Sequence, residues 1–66
     1  MMDFTECDIS GHLKAEGSKG QYWVIDNAWT YLERVTPTQS GALVERLGTF
    51  DSAVDAMAEA ERLEAV

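Results

Sequence analysis

Few side chains in this sequence are arranged for covalent or acid–base chemistry. His12 is the single histidine and Cys7 the single cysteine, and neither has a serine, acid or base at a spacing typical of a catalytic pair. Cys7 lies between Glu6 and Asp8, whose negative charges oppose formation of a reactive thiolate. We therefore expect no catalytic residue and predict that the protein is not an enzyme.

The acidic side chains also lack the spacing of a metal site. They form neither a calcium-binding loop nor a set of zinc ligands, so the sequence predicts no metal and no cofactor. Glu33 and Glu45 could form a pair of catalytic carboxylates on neighbouring strands. The strand register argued below gives them Arg46 and Arg34 as partners instead, which favours two structural ion pairs.

Aromatic side chains are concentrated in one short part of the chain. Such side chains on a sheet can stack on nucleic-acid bases, but that platform needs basic surroundings. The chain has a net charge of −7, which repels nucleic acid and anionic membranes. We therefore expect no direct binding to nucleic acid or membrane. The aromatic residues are assigned mainly to the core, with Trp23 as the best candidate for an exposed contact, and the group comprises Tyr22, Trp23, Trp29 and Tyr31.

The elements that must position these side chains form an α+β fold in a single domain, residues 1–66. An antiparallel meander of three strands is predicted at about 21–26, 28–37 and 42–50, followed by one helix at about 52–64. Ser52 and Asp55 form a capping-box-like pair at the helix start. Residues 1–20 are expected to hold a strand or a short helix, with Gly17–Gly20 as a flexible connector. The core stripe of the helix is Ala53, Ala56, Met57, Ala60 and Leu63.

Turn positions set the predicted register. A loop at Thr38–Gly41 places like apolar groups and opposite charges across the second hairpin. Its pairs are Val35–Val44, Arg34–Glu45, Glu33–Arg46, Leu32–Leu47, Thr30–Thr49 and Trp29–Phe50. A two-residue turn at Asp26-Asn27 gives the pairs Tyr22–Tyr31 and Val24–Trp29. The predicted helix-facing side is Tyr22, Val24, Trp29, Tyr31, Val35, Val44 and Phe50, and the opposite apolar side is Trp23, Ile25, Leu32, Leu43 and Leu47.

Negative charge is concentrated in the predicted helix. Residues 20–50 have three acids and two bases, residues 1–19 have four and two, and residues 51–66 have five and one. Acids in the first turn favour the helix dipole, but glutamates near the C-terminal end oppose it. A solvated acidic face is the alternative explanation, because glutamate forms helices well. The predicted partner-binding residues are Asp51, Asp55, Glu59, Glu61, Glu64, Glu6, Asp8 and Trp23.

The size, acidity and layout resemble those of small phage-encoded anti-CRISPR proteins, several of which mimic DNA. The resemblance covers the run from Tyr22 to Val66, including Trp29, Gly48-Thr49-Phe50-Asp51-Ser52 and the Ala/Glu-rich helix. It implies a monomer in the host bacterial cytoplasm that binds a CRISPR effector subunit, a basic DNA-binding protein, and blocks target-DNA or PAM binding.

A second hypothesis concerns the apolar side of the sheet. A surface around Trp23, Ile25 and Leu47 would let the protein dock on a partner or dimerise as a structural or regulatory module. A salt-insensitive homodimer favours this hypothesis, whereas a monomer with salt-sensitive binding favours DNA mimicry.

Overall fold

The computed structural model describes residues 2–9 and 11–66, and within them five strands precede one helix. The strands are β1 (Thr5–Glu6), β2 (His12–Gly17), β3 (Gly20–Asp26), β4 (Thr30–Thr38) and β5 (Gly41–Phe50), and the helix α1 spans Ala53–Ala65. The strands form one antiparallel sheet in chain order, and α1 packs on β3, β4 and β5. The predicted α+β class is confirmed, whereas the predicted count of three strands is too low by two.

The additional strands come from the N-terminal part of the chain. β2 alternates Leu13 and Ala15 toward the α1 side with charged side chains on the other face, a pattern typical of a half-buried strand. Gly17 pairs with Gly20 across a tight turn, so the predicted flexible connector is wrong. Gly20 has φ of 146°, and a Cβ there would lie 2.7 Å from the carbonyl oxygen of Val35. The turn therefore requires glycine at this position.

The first predicted hairpin register is wrong by three residues. Tyr22 pairs with Arg34 and Val24 pairs with Leu32, because Asn27–Trp29 forms a three-residue loop between Asp26 and Thr30. A shift by an odd number of residues turns every side chain of β4 to the other face. Leu32 therefore enters the core, while Tyr31 and Val35 leave it.

The second hairpin register is correct near its turn and wrong beyond it. Val35–Val44, Arg34–Glu45 and Glu33–Arg46 pair as predicted, and a bulge then shifts the register between Leu32 and Glu33. The predicted pairs Leu32–Leu47, Thr30–Thr49 and Trp29–Phe50 are therefore wrong. The observed pairs are Leu32–Gly48, Tyr31–Thr49 and Thr30–Phe50.

The core lies between the sheet and the alanine stripe of α1. Ala56 and Ala60 are fully buried, which lets the helix approach the sheet closely. Ser52 Oγ accepts a hydrogen bond of 3.2 Å from the backbone N–H of Asp55, so the predicted N-cap is confirmed. The buried cluster is Tyr22, Val24, Leu32, Ala56 and Ala60, and Leu13, Leu47, Phe50, Ala53, Met57 and Leu63 pack against it.

The opposite side of the sheet, which we call the open face, is covered by no described helix or strand. Its apolar and aromatic residues are Trp23, Ile25, Tyr31, Val35 and Val44. Leu47 was predicted on this side, but it packs against the core beneath α1. In residues 2–9 and 11–66, no helix has the length and apolar character needed to span a bilayer.

Candidate functional site

Three segments of the chain meet at one end of the sheet, which we call the loop end. They are the end of β1 with the loop that follows it (residues 6–9 and 11), the end of β3 with the β3–β4 loop (26–29), and the β5–α1 junction with the first turn of α1 (51–55). Antiparallel strands alternate in direction, so these connections share one end.

Backbone contacts join the first two of these loops. The N–H of Asp26 donates to the carbonyl oxygen of Gly11 at 2.6 Å. Gly11 has φ of 83°, and a Cβ there would lie 2.3 Å from Oδ1 of Asn27. A side chain at Gly11 would therefore separate the two loops.

Five carboxylates lie at the loop end. All five side chains are exposed, and none takes part in a salt bridge among the described residues. No lysine or arginine occurs in the three loop-end segments. Asp26 accepts a hydrogen bond of 2.8 Å from Thr30 Oγ1, which leaves its charge unneutralised. The set comprises Glu6, Asp8, Asp26, Asp51 and Asp55.

Glu59, near the C-terminal half of α1, is neutralised by a neighbour. Arg62 donates to both of its carboxylate oxygens, at 2.8 Å from Nε and 2.6 Å from Nη2. These hydrogen bonds lower the pKa of Glu59 below its ordinary value. The prediction that the Glu59 carboxylate is unneutralised is therefore wrong.

Glu64 is held against the sheet. Its carboxylate accepts hydrogen bonds from the N–H and the hydroxyl of Ser18, and one of 2.9 Å from the hydroxyl of Tyr22. The hydroxyl of Ser18 is the largest influence that lowers the pKa of Glu64. Burial raises the pKa of Tyr22, which keeps its hydroxyl protonated as a donor. Glu64 thus has a structural role, and its predicted exposure as a free carboxylate is wrong.

Lys19 completes the contact between the β2–β3 turn and the end of α1. Its Nζ donates to the carbonyl oxygen of Leu63 at 2.8 Å and also to that of Val66. A cation at this position satisfies carbonyl groups that have no partner within the helix and favours the helix dipole. Lys19 therefore offsets part of the unfavourable negative charge at this end of the helix.

Glu61 differs from its two helical neighbours. It is half-buried and takes part in no salt bridge among the described residues. It lies beside Glu16 and Glu64 at an open cleft, on the end of the sheet opposite the loop end. Within the described chain, no three His, Cys, Asp or Glu side chains lie close enough together to hold a metal ion.

The two tryptophans lie on different surfaces. Trp23 is half-buried on the open face, where its Nε1 donates to Oε1 of Gln21 at 2.8 Å. Lys14 Nζ lies 5.7 Å from the centroid of the Trp23 ring. The predicted grouping of Trp23 with the acidic residues is therefore not observed.

Trp29 lies at the loop end instead. Its side chain is 78% exposed in the β3–β4 loop, so its predicted place in the core is wrong. The sequence alone misplaces Trp29, because its hydrophobicity is typical of a strand residue. The run Asp26-Asn27-Ala28, which is poor in strand-forming residues, was the available signal for a longer loop.

Cys7 and His12 line one small cleft next to the loop end, together with Glu6, Ile9 and Asp26. The contact between them is a backbone hydrogen bond, from the N–H of Cys7 to the carbonyl oxygen of His12 at 2.9 Å. Among the described residues, no hydrogen bond joins the thiol to the imidazole, so this geometry does not provide an activated nucleophile.

Comparisons of the chain with known protein families, with curated proteins and with solved structures found no match. The function is therefore inferred from the residues and their geometry.

Proposed function

We propose that this protein binds a positively charged protein surface through its loop end. In the specific form that we infer, it is a DNA mimic of the anti-CRISPR type, which occupies the target-DNA or PAM-binding surface of a CRISPR effector subunit. The observation that supports the proposal is the gathering of five exposed carboxylates at one end of the molecule, without a lysine or arginine in the same segments.

The spacing of these charges supports mimicry of a nucleic-acid strand. Five strands about 4.8 Å apart span roughly 19 Å between the first and the last. Glu6, Asp26 and Asp51 adjoin the ends of the alternate strands β1, β3 and β5, roughly 10 Å apart, and Asp8 and Asp55 add a charge near the first and the last of them. Five charges at an edge of this width are of the same order as the roughly five or six phosphates on an equal length of one DNA strand. A groove lined with lysine and arginine that attracts DNA would therefore attract the loop end by the same long-range field.

The exposed Trp29 adds an apolar contact to this electrostatic attraction. Tryptophan is among the side chains that contribute most to protein–protein affinity when a pocket of the partner encloses it. Asp26 precedes the loop that carries Trp29, and Asp51 follows Phe50, which pairs with Thr30 beside Trp29. A basic protein groove with an apolar pocket fits this combination better than a uniformly charged surface does.

The test is displacement of fluorescently labelled target DNA from a panel of purified CRISPR effector complexes, followed by fluorescence anisotropy. The wild-type protein is expected to displace DNA from at least one complex, and added salt is expected to weaken the effect steeply. Displacement from none of the complexes would refute the anti-CRISPR form of the proposal.

Charge-neutralised variants then test the surface. A variant carrying Asp26→Asn, Asp51→Asn and Asp55→Asn is expected to lose displacement. The matched control carries Glu16→Gln, Glu59→Gln and Glu61→Gln, which remove the same number of charges away from the loop end, and it is expected to retain displacement. Equal loss in both variants, with both folded by circular dichroism, would show that the loop end is not the binding surface.

A further inference from the structure

The open face combines apolar side chains with charges that cancel; Val44 is 57% exposed, Trp23, Tyr31 and Val35 are half-buried, and Ile25 is buried. Lys14 and Arg46 lie on it together with Glu16 and Glu33, so its formal charge is zero in a chain of net charge −7. The excess acid of the molecule therefore lies on other surfaces. A strongly charged partner has little net electrostatic attraction to such a face, whereas two copies of the face can approach without net repulsion.

Three residues form a straight row across the centre of this face. Lys14 pairs with Trp23, and Trp23 pairs with Glu33, on strands β2, β3 and β4. The charged residues lie one strand to either side of Trp23, about 4.8 Å away. A two-fold axis parallel to β3 would place Lys14 of each copy across from Glu33 of the other, with the two Trp23 side chains between them. The row is therefore complementary to itself.

The charged groups of this row have few ion-pair partners within one chain. Lys14 takes part in no salt bridge among the described residues, and its Nζ lies over the Trp23 ring. Glu33 is 3.9 Å from Arg46, which is a long contact, and the side chain of Arg46 is 60% exposed. Arg46 instead lies 4.2 Å from the centroid of the Tyr31 ring. A second copy would supply each Lys14 with a carboxylate.

We propose that two copies of this chain associate face to face through their open faces. Sheets packed in this way lie about 10 Å apart with their strands nearly aligned. A face of five strands and about seven residues per strand offers roughly 500 Å² per copy, so a pair buries about 1,000 Å² in projection, at the lower limit for a specific interface. The expected dimer is therefore a weak one. This proposal develops the second sequence-based hypothesis, dimerisation through the apolar side of the sheet, in place of the expected monomer, and the loop end stays outside the interface.

The test uses two charge-reversed variants, Lys14→Glu and Glu33→Lys, in sedimentation equilibrium over a concentration series. In either variant alone, the two-fold arrangement brings like charges together across the interface, so dimerisation is expected to weaken at least about tenfold. In an equimolar mixture, every opposed pair is again of opposite charge. The mixture is therefore expected to form a heterodimer within a few-fold of the wild-type affinity.

The control is Asp55→Lys, which makes the same charge change as Glu33→Lys at the exposed start of α1. This variant is expected to dimerise like the wild type. Wild-type protein that remains monomeric at millimolar concentration would overturn the proposal. So would a mixture that associates no better than its two components, or an Asp55→Lys variant that is weakened as much as Glu33→Lys.

Discussion

Replacing Ala60 with leucine is expected to destabilise the protein, because the helix lies on the sheet without space for a larger side chain. Ala60 is 0% exposed and packs in the cluster that contains Tyr22, Val24 and Leu32. Overpacking of this kind costs about 1–3 kcal/mol. A domain of this length is stable by only about 3–10 kcal/mol, at about 0.05–0.15 kcal/mol per residue. The melting temperature should therefore fall by about 4–24 °C, at about 4–8 °C per kcal/mol.

The matched control is Ala58→Leu, which makes the same chemical change on the exposed side of the same helix. Its free energy of unfolding should stay within about 0.5 kcal/mol of the wild type, because it alters no buried contact. Urea unfolding and thermal melting of both variants give the comparison. If Ala58→Leu and Ala60→Leu are equally stable, α1 does not present its alanine stripe to the sheet, and the outward direction of Asp55 is unsupported.

Two further predictions concern the ends of the helix. Ser52→Ala should lower the free energy of unfolding by about 1 kcal/mol, since it removes the acceptor for the Asp55 N–H; an unchanged urea midpoint would contradict the N-cap. Glu64 should make stability depend on pH, because the folded state lowers its pKa below the ordinary 4.5. The unfolded state then binds the proton more readily, so this stabilisation is present above about pH 4.5 and is lost as the pH falls through the folded-state pKa. Glu64→Gln should remove this part of the acid sensitivity in melting curves recorded across that range, whereas an identical pH profile would rule out the contact.

Local signals in the sequence predicted the helix and the turn-proximal part of the second hairpin. Ser52 and the alanine stripe define the helix within a few residues, so no distant contact is needed to place it. Opposite charges on β4 and β5 are separated by one short turn, which restricts the pairing near that turn. The bulge was not predictable in the same way. Leu32 can pair with Leu47 or with Gly48, and no charge pair nearby decides between these two registers.

The rest of the sheet depended on loop length. A two-residue turn at Asp26-Asn27 and a three-residue loop after Asp26 both fit the composition of the chain, and the choice decides which side of β4 is buried. The observed register buries Leu32 in the core and places Tyr31 on the other side of the sheet. The same register places Trp29 in an exposed loop, although its hydrophobicity predicts that it is buried.

The candidate site was predictable only in part. Asp51, Asp55, Glu6 and Asp8 were selected from the charge pattern and lie at the loop end, but Asp26 was missed because it looked like an ordinary turn residue. The partners of Glu64 are Ser18 and Tyr22, more than forty residues away in the chain, so no local pattern could reveal them. The pairing of Glu59 with Arg62 was different, since a separation of three residues on a helix is a recognisable signal.

The electrostatic claim can be tested directly by titrating ¹⁵N-labelled protein with a nona-arginine peptide and recording the amide chemical shifts. If the loop end carries the unneutralised charge, the shifts should concentrate at residues 6–8, 26–29 and 51–55 and disappear in high salt. Shifts of equal size at residues 59–64, or spread evenly over the chain, would contradict it.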